Sequence, residues 1–293
     1  MSAAAGGPAT ACAADAARYL RAPIVDHRRI ADRTWRLRLD CPEIAAAAVP
    51  GQFAMLRIPD RHDPLLARPL AVYDVFAVEG RPRHVDFGYL VHGKVTSALA
   101  ALPPGGEVVL WGPLGNGFDP PAVDHLLLVA GGIGQTALLA LARERLGQAA
   151  YGAPPRPAPR TRRVTFCWGA AAGDRFGDVD DFRRAGCDVH LATLDGSAGL
   201  RGTVVDLLRT RVAARVPESI HVACCGPESM MAAVTRWAEE VGAGCDVSLE
   251  APMACGVGIC FTCVARVRDA AGGWDYRRTC VEGPVFPGAA IEW

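Results

Sequence analysis

Between about Tyr19 and Pro120 the hydrophobic and polar positions fall into short strand-like runs. The run Thr34-Trp35-Arg36-Leu37-Arg38-Leu39 alternates as a half-buried strand does. Similar runs follow over 51–58, 68–78, 84–91 and 107–111, set off by turns such as Pro50-Gly51 and Pro103-Pro104-Gly105-Gly106. One short helix is expected over 96–102. Short strands at this spacing predict a small antiparallel barrel.

From about Val123 the rhythm is different. Near-continuous apolar runs at 126–130, 164–168, 188–192, 220–224 and 245–249 alternate with helical patterns over 136–146, 178–185, 203–212 and 228–241. Apolar strands between amphipathic helices predict a parallel sheet covered on both faces. Ligands of such sheets bind at the carboxyl ends of the strands. Two glycine turns are expected there, Gly131-Gly132-Ile133-Gly134 and Cys225-Gly226-Pro227. Neither matches G-x-G-x-x-G, and clearance between strand and helix explains such glycines equally well.

After the sheet comes the stretch with the strongest chemistry. Cys255, Cys260, Cys263 and Cys280 follow the pattern C-x4-C-x2-C-x16-C. The first two gaps match the plant-type run that holds a [2Fe–2S] cluster by four thiolates. Gly256 and Gly258 allow the backbone to curl round such a group with its N–H groups turned inward. Zinc more often takes two separated C-x2-C knuckles, and only one is present. Buried, unligated thiols are the remaining reading.

Composition narrows the field. Among 293 residues, 31 Lys+Arg balance 31 Asp+Glu, which gives no support for nucleic-acid or anionic-membrane binding. Seven further cysteines are scattered along the chain, an odd number that suits a reducing compartment better than a disulfide framework. The N-terminal stretch has no basic residue before Arg18, so no secretory signal is expected. The apolar stretch Leu126 to Ala142 is broken by Gly131-Gly132, Gly134, Gln135 and Thr136 and reads as strand, turn and helix, not as a membrane span. A cytoplasmic protein is expected. The domain reading is a disordered extension over 1–18, a barrel over 19–120, an α/β domain over 121–247 and a cluster module over 248–293.

Two barrel stretches could carry chemistry. Arg68-Pro69-Leu70-Ala71 could aim a guanidinium at phosphate from a strand edge. Gly88-Tyr89-Leu90, followed by Gly93-Lys94-Val95-Thr96, runs from a strand into a helix that Thr96 is expected to cap. A surface arginine and an ordinary helix cap are the plainer readings. Gly112-Pro113-Leu114-Gly115-Asn116-Gly117-Phe118 is a tight loop that could approach a flat ring or simply link domains.

The order barrel, parallel sheet and cysteine module resembles the ferredoxin-reductase superfamily, and within it the electron-transfer subunits of class 1B dihydroorotate dehydrogenase. The tail carries the most specific match, through Ser248-Leu249-Glu250, Met253-Ala254-Cys255-Gly256-Val257-Gly258, Cys260, Cys263 and Cys280-Val281-Glu282-Gly283-Pro284-Val285-Phe286. The resemblance implies FAD in the barrel, NAD on the α/β domain and [2Fe–2S] in the tail. By position it places the cluster on Cys255, Cys260, Cys263 and Cys280. It places the flavin on Arg68, Pro69, Leu70, Ala71, Gly88, Tyr89, Leu90, Val95 and Thr96. NAD falls on Gly131, Gly132, Gly134, Cys225 and Gly226.

The sequence departs from the family pattern in places. Ala71 lacks the usual hydroxyl, Leu90 replaces a basic residue, Val95 replaces a glycine, and Gln135-Thr136 replaces Ala-Pro. The implied activity is an NAD-linked oxidoreductase electron conduit in pyrimidine biosynthesis, whose partner is an FMN-containing dihydroorotate dehydrogenase catalytic subunit. Two alternatives are a reductase for another acceptor (an oxygenase, a sulfur-metabolising enzyme or a hydrogenase) and a flavin-less iron–sulfur protein for assembly or sensing.

Overall fold

The computed structural model describes residues 17–212, 219–269 and 272–293. Residues 1–16 of the expected N-terminal extension lie outside these, and Arg18 already belongs to the first strand. Six strands close a barrel: β1 (Arg18–Ala31), β2 (Thr34–Asp40), β3 (Phe53–Arg57), β4 (Arg68–Val78), β5 (Arg81–Leu90) and β6 (Glu107–Leu114). Their order is β1-β2-β5-β4-β3-β6, and every neighbouring pair is antiparallel. Closure leaves no unpaired sheet edge. In β2 the alternation buries Leu37 and Leu39 in the barrel core, while Arg36 and Arg38 point outward to Asp86. Helix α1 (Pro42–Ala47) and helix α2 (Lys94–Ala100) flank the barrel.

The α2 boundary corrects the expectation. The helix begins two residues early because Gly93, at φ +86°, ends the strand and takes the cap position. Thr96 sits inside the first turn instead, where its hydroxyl accepts the His92 N–H at 2.7 Å.

The second domain is built on β7 (His125–Gly131), α3 (Leu139–Arg145), β8 (Arg163–Ala170), α4 (Val179–Arg184), β9 (Asp188–Thr193), β10 (Leu200–Arg201), α5 (Val204–Arg211), β11 (Ile220–Cys225), α6 (Glu228–Glu240) and β12 (Gly244–Ser248). The tail adds β13 (Val264–Arg268), β14 (Trp274–Arg278) and β15 (Val285–Pro287). One sheet runs in the order β10-β9-β8-β7-β11-β12-β15, parallel except for the last pair. All seven residues of β7 are buried, as a central strand covered on both faces requires. The helical pattern expected from Thr136 opens instead as a tight 3₁₀ turn, Gly132–Ala137, before α3 begins. Thr203 and Asp206 cap α5 reciprocally, each side chain bonding the other's backbone N–H.

Two contacts fix how these parts meet. Arg36 leaves the barrel to bond Asp178 at 2.8 Å and Asp181 at 2.6 Å, beside and on α4, while its Nε bonds Asp86 at 2.5 Å. Asn116, in the loop after β6, ties down the tail. Its N–H donates to Gly283 O at 2.6 Å, its amide donates to Glu282 O and Val285 O, and its side-chain oxygen accepts the Val285 N–H at 2.9 Å. The stretch expected as a Gly112–Phe118 loop is strand as far as Leu114, paired with β1 and β3, and its remainder, Gly115–Phe118, is a clamp on the tail. Gly115, at φ +73°, leaves room for Pro284, which a Cβ would meet at 2.6 Å.

Candidate cluster and nucleotide sites

The cysteine loop lies on the barrel wall. Gly256 and Gly258 both take positive φ, at +73° and +82°. A Cβ at Gly256 would lie 2.5 Å from Met55, and one at Gly258 would lie 2.7 Å from Val281. Glycine is thus needed twice, for the curl and for the close approach. Trp111 of β6 donates its indole N–H to Cys255 O at 2.9 Å. Arg278 braces the far side: it donates to Gly258 O at 3.2 Å, pairs with Glu282 and lies over the Phe261 ring. Neither Trp111 nor Arg278 carries a signal in the cysteine spacing.

The four thiols stand as two pairs. Cys263 and Cys280 are buried, with sulfurs 3.2 Å apart. Cys255 and Cys260 form the outer pair, and Cys260 is exposed. The Thr262 hydroxyl, then the Thr262 backbone and Cys255, bring the Cys260 thiol down to about 6. Burial, then the neighbouring Cys263, pushes the Cys280 thiol up to about 12. The Val257 N–H donates to Cys255 sulfur at 3.4 Å. Among the described residues no three His, Cys, Asp or Glu side chains stand together as a metal-holding group. Four thiolates in two pairs, with loop amides turned to sulfur, fit two irons better than one zinc.

The flavin candidates begin at the same wall. Ala67, one residue before Arg68, packs in one apolar cluster with Cys263, Cys280 and Met253. Arg68 is exposed and folds back to Ala67 O at 3.0 Å. Arg68 to Ala71 pair only with β3, because β5 joins β4 from Val72 onward, so Pro69, which lacks an N–H, lies where no second ladder needs one. Leu70 is buried in the barrel core and Ala71 packs against the α/β core. On β5, Gly88 faces the second domain, where a Cβ would overlap the Thr136 methyl. Tyr89 turns the other way. It is 1% exposed, and its hydroxyl meets the His27 ring at 2.7 Å inside the barrel, which leaves only its backbone for a ligand. Leu90 is half-buried, and Val95 and Thr96 are buried in α2. Lys94 reaches Asp63 at 2.8 Å, tying the start of α2 to the loop before Arg68. The space beside Gly93 is open to 4 Å. The side chains at 70, 89, 95 and 96 thus turn inward, and these stretches offer a flavin mainly backbone groups and Arg68.

The two glycine turns meet at the carboxyl ends of neighbouring strands β7 and β11. A Cβ at Gly134 would overlap Cys225 O, and one at Gly131 would overlap Met230 sulfur. Gly226, at φ +158°, leaves 2.8 Å between its absent Cβ and Gly131 N. Three glycines are therefore spent on packing the turns together. Gly132, at φ +54°, is the open one, with nothing within 4 Å of its Cβ position. Cys225 is half-buried, and the surrounding protein, then Glu250, pushes its thiol up to about 12, so it stays neutral. Gly134→Ala is expected to separate the turns and lower kcat/KM for NADH about tenfold or more with flavin content unchanged, measured by NADH-dependent dye reduction. Beyond the turns, Asp195 is engaged with Ser197 at 2.6 Å and Arg175 with Asp32 at 3.1 Å.

A family model described as the iron–sulfur cluster binding domain of dihydroorotate dehydrogenase B matches residues 250–292. The dihydroorotate dehydrogenase B (NAD(+)) electron transfer subunit of Desulforamulus reducens is 35% identical over 266 residues, covering 90% of this chain and 94% of that protein. That of Clostridium acetobutylicum is 34% identical, covering 83% and 85%. Among solved structures, an NADH-dependent reduced ferredoxin-NADP oxidoreductase superposes with a TM-score of 0.76 at 29% identity, covering 93% of this chain and 90% of that one. Phthalate dioxygenase reductase shares the fold at a TM-score of 0.58 and 15% identity, covering 93% and 96%. With a closed barrel, a parallel sheet and a paired-thiol tail in one chain, and relatives matched over nearly their whole length, this chain belongs to the family of dihydroorotate dehydrogenase B (NAD(+)) electron transfer subunits.

Proposed function

We propose that this chain passes electrons between NAD and an FMN-containing dihydroorotate dehydrogenase catalytic subunit in pyrimidine biosynthesis. Cys255, Cys260, Cys263 and Cys280 would hold a [2Fe–2S] cluster. The backbone of 68–71, 88–90 and 93–96, with Arg68, would hold FAD, and the turns at Gly131–Gly134 and Cys225-Gly226 would receive NAD. Nicotinamide carries electron pairs as hydride, the cluster carries single electrons, and flavin accepts both, so flavin belongs between them.

The observation that carries this reading is the shared wall. Ala67, at the head of the flavin strand, packs with the buried thiols Cys263 and Cys280, while Gly88 of the same barrel meets Thr136 of the nucleotide turn. The protein's own part is placement. Trp111, Met55 and Asn116 press the cysteine loop and tail to the barrel, and buried surroundings limit water at the inner thiol pair. Around the exposed Cys260 lie Ile259 and Phe261, 78% and 60% exposed. Such apolar side chains beside an exposed ligand are where a catalytic subunit would dock. No helix among the described residues is long and apolar enough to cross a membrane, and none of the ten described cysteines is in a disulfide.

A purified anaerobic sample is expected to contain two irons, two sulfides and one flavin per chain, in the ratio of one [2Fe–2S] to one FAD. Its visible absorption is expected to bleach on adding NADH. Iron without flavin under saturating FAD would overturn the reading in favour of a flavin-less iron–sulfur protein. The 29% identity with the ferredoxin-NADP oxidoreductase supports a second reading, a reductase for another acceptor. Co-purification without a dihydroorotate-oxidising subunit would favour it.

A further inference from the structure

A cavity of about 510 Å³ opens between the outer face of the barrel and helices α3 and α4. Ligand pockets run from about 300 to 1,000 Å³, so it has room for a small organic molecule. Its wall carries five arginines against three aspartates. Each domain supplies one central guanidinium, Arg38 from β2 and Arg143 from α3. Both lie over the ring of Phe76, at 4.1 and 5.9 Å from its centroid.

These two arginines are only partly engaged. Arg38 gives Nε and Nη2 to Asp86, which leaves Nη1. Arg143 gives Nη1 to Asp74, which leaves Nε and Nη2. The two guanidinium side chains are 28% and 27% exposed, whereas their carboxylate partners Asp86 and Asp74 are 0% and 2% exposed. Asp86 is not part of the lining and Asp74 is almost wholly covered, so the guanidinium groups are the more accessible member of each pair. The rim carboxylate Asp26 is engaged by Arg28 at 3.6 Å. Planar guanidinium donors supplied by two domains around one ring suit a tetrahedral oxyanion that can accept from both.

We propose that this cavity binds a phosphate-bearing anion held between Arg38 of the barrel and Arg143 of the α/β domain. Its contacts come from both domains, so the ligand stabilises their present arrangement. Arg143 sits in the last turn of α3, beyond the Gly132–Ala137 turn, and neither guanidinium belongs to the turns assigned to NAD.

The test is titration calorimetry on the purified full chain, in chloride buffer at constant ionic strength, with inorganic phosphate and then ribose 5-phosphate. Saturable binding at one site per chain is expected. Arg38→Gln and Arg143→Lys are each expected to weaken it about tenfold or more. Arg143→Lys keeps a charge beside Asp74 but loses the planar fork, so a loss there is not a folding defect. Iron and flavin contents should match the parent. Tighter binding of ribose 5-phosphate assigns the site to a phosphate ester, and equal affinity assigns it to free phosphate. Heats that never saturate, or unchanged affinity in both variants, would overturn the proposal.

Discussion

Cys263→Ala is expected to abolish electron transfer to the catalytic subunit while leaving NADH-to-dye reduction largely intact. The sulfur it removes is 1% exposed and sits 3.2 Å from that of Cys280. A [2Fe–2S] cluster needs four ligands, and no other described cysteine packs with the inner pair to replace the lost one. The nucleotide turns and the flavin stretches are on other elements, so hydride acceptance from NADH should continue. Iron content should fall while flavin content holds. The measurement is a paired assay, dihydroorotate-dependent NAD reduction in the reconstituted complex beside NADH-dependent dye reduction by the chain alone. Full transfer to the partner in this variant would place the cluster off the route.

Arg36→Met should lower stability by about 3–5 kcal/mol, the range for removing one partner from a buried ionic network. Arg36 is buried where the domains meet, with its guanidinium against Asp86, Asp178 and Asp181 and 4.7 Å from the Tyr73 ring centre. Methionine fills the stem's volume but leaves the carboxylates facing each other. Asp86 keeps Arg38, Asp178 keeps Arg28 at 3.0 Å and Asp181 keeps Arg184 and the Tyr73 hydroxyl, so the cost is that of three carboxylates losing the buried cation they share. Denaturant midpoints with an unchanged slope would report it. A loss below about 1 kcal/mol would mean that Arg36 contributes no more than a surface pair does.

How far the sequence discloses this molecule depends on whether a feature is local. β2 and β7 were legible because one is half-buried and the other wholly buried, and each condition leaves its own polarity pattern. Strand β1 left a weaker trace, since most of its 14 residues are exposed or half-buried and Ala22, Ile24 and His27 are the buried ones. The β13–β14 hairpin left none, because Trp274 and Tyr276 are exposed and its two strands form a sheet of their own. The cysteine loop was readable because three of its four thiols lie within nine residues. The inward turn of Tyr89 was not, since one step of register decides which face a strand residue takes. Nor was the role of Asn116, whose partners stand 166 to 169 residues away in the chain. Gly134 and Gly226 fitted both readings of their turns, and only coordinates reveal that each is filled by the other's backbone region.

The Asn116 clamp bears on how the protein is made. Everything the tail leans on, from Met55 and Trp111 to Asn116 and β12, is synthesised before it. The cysteine loop follows them along the chain and closes onto surfaces made before it. Cluster insertion therefore comes late in maturation, and a truncated or misfolded barrel would leave four thiols with nowhere to dock. The same stitching makes the tail a poor cassette. Transplanted onto another reductase, it would need its Asn and its Trp supplied at matching places on the new host.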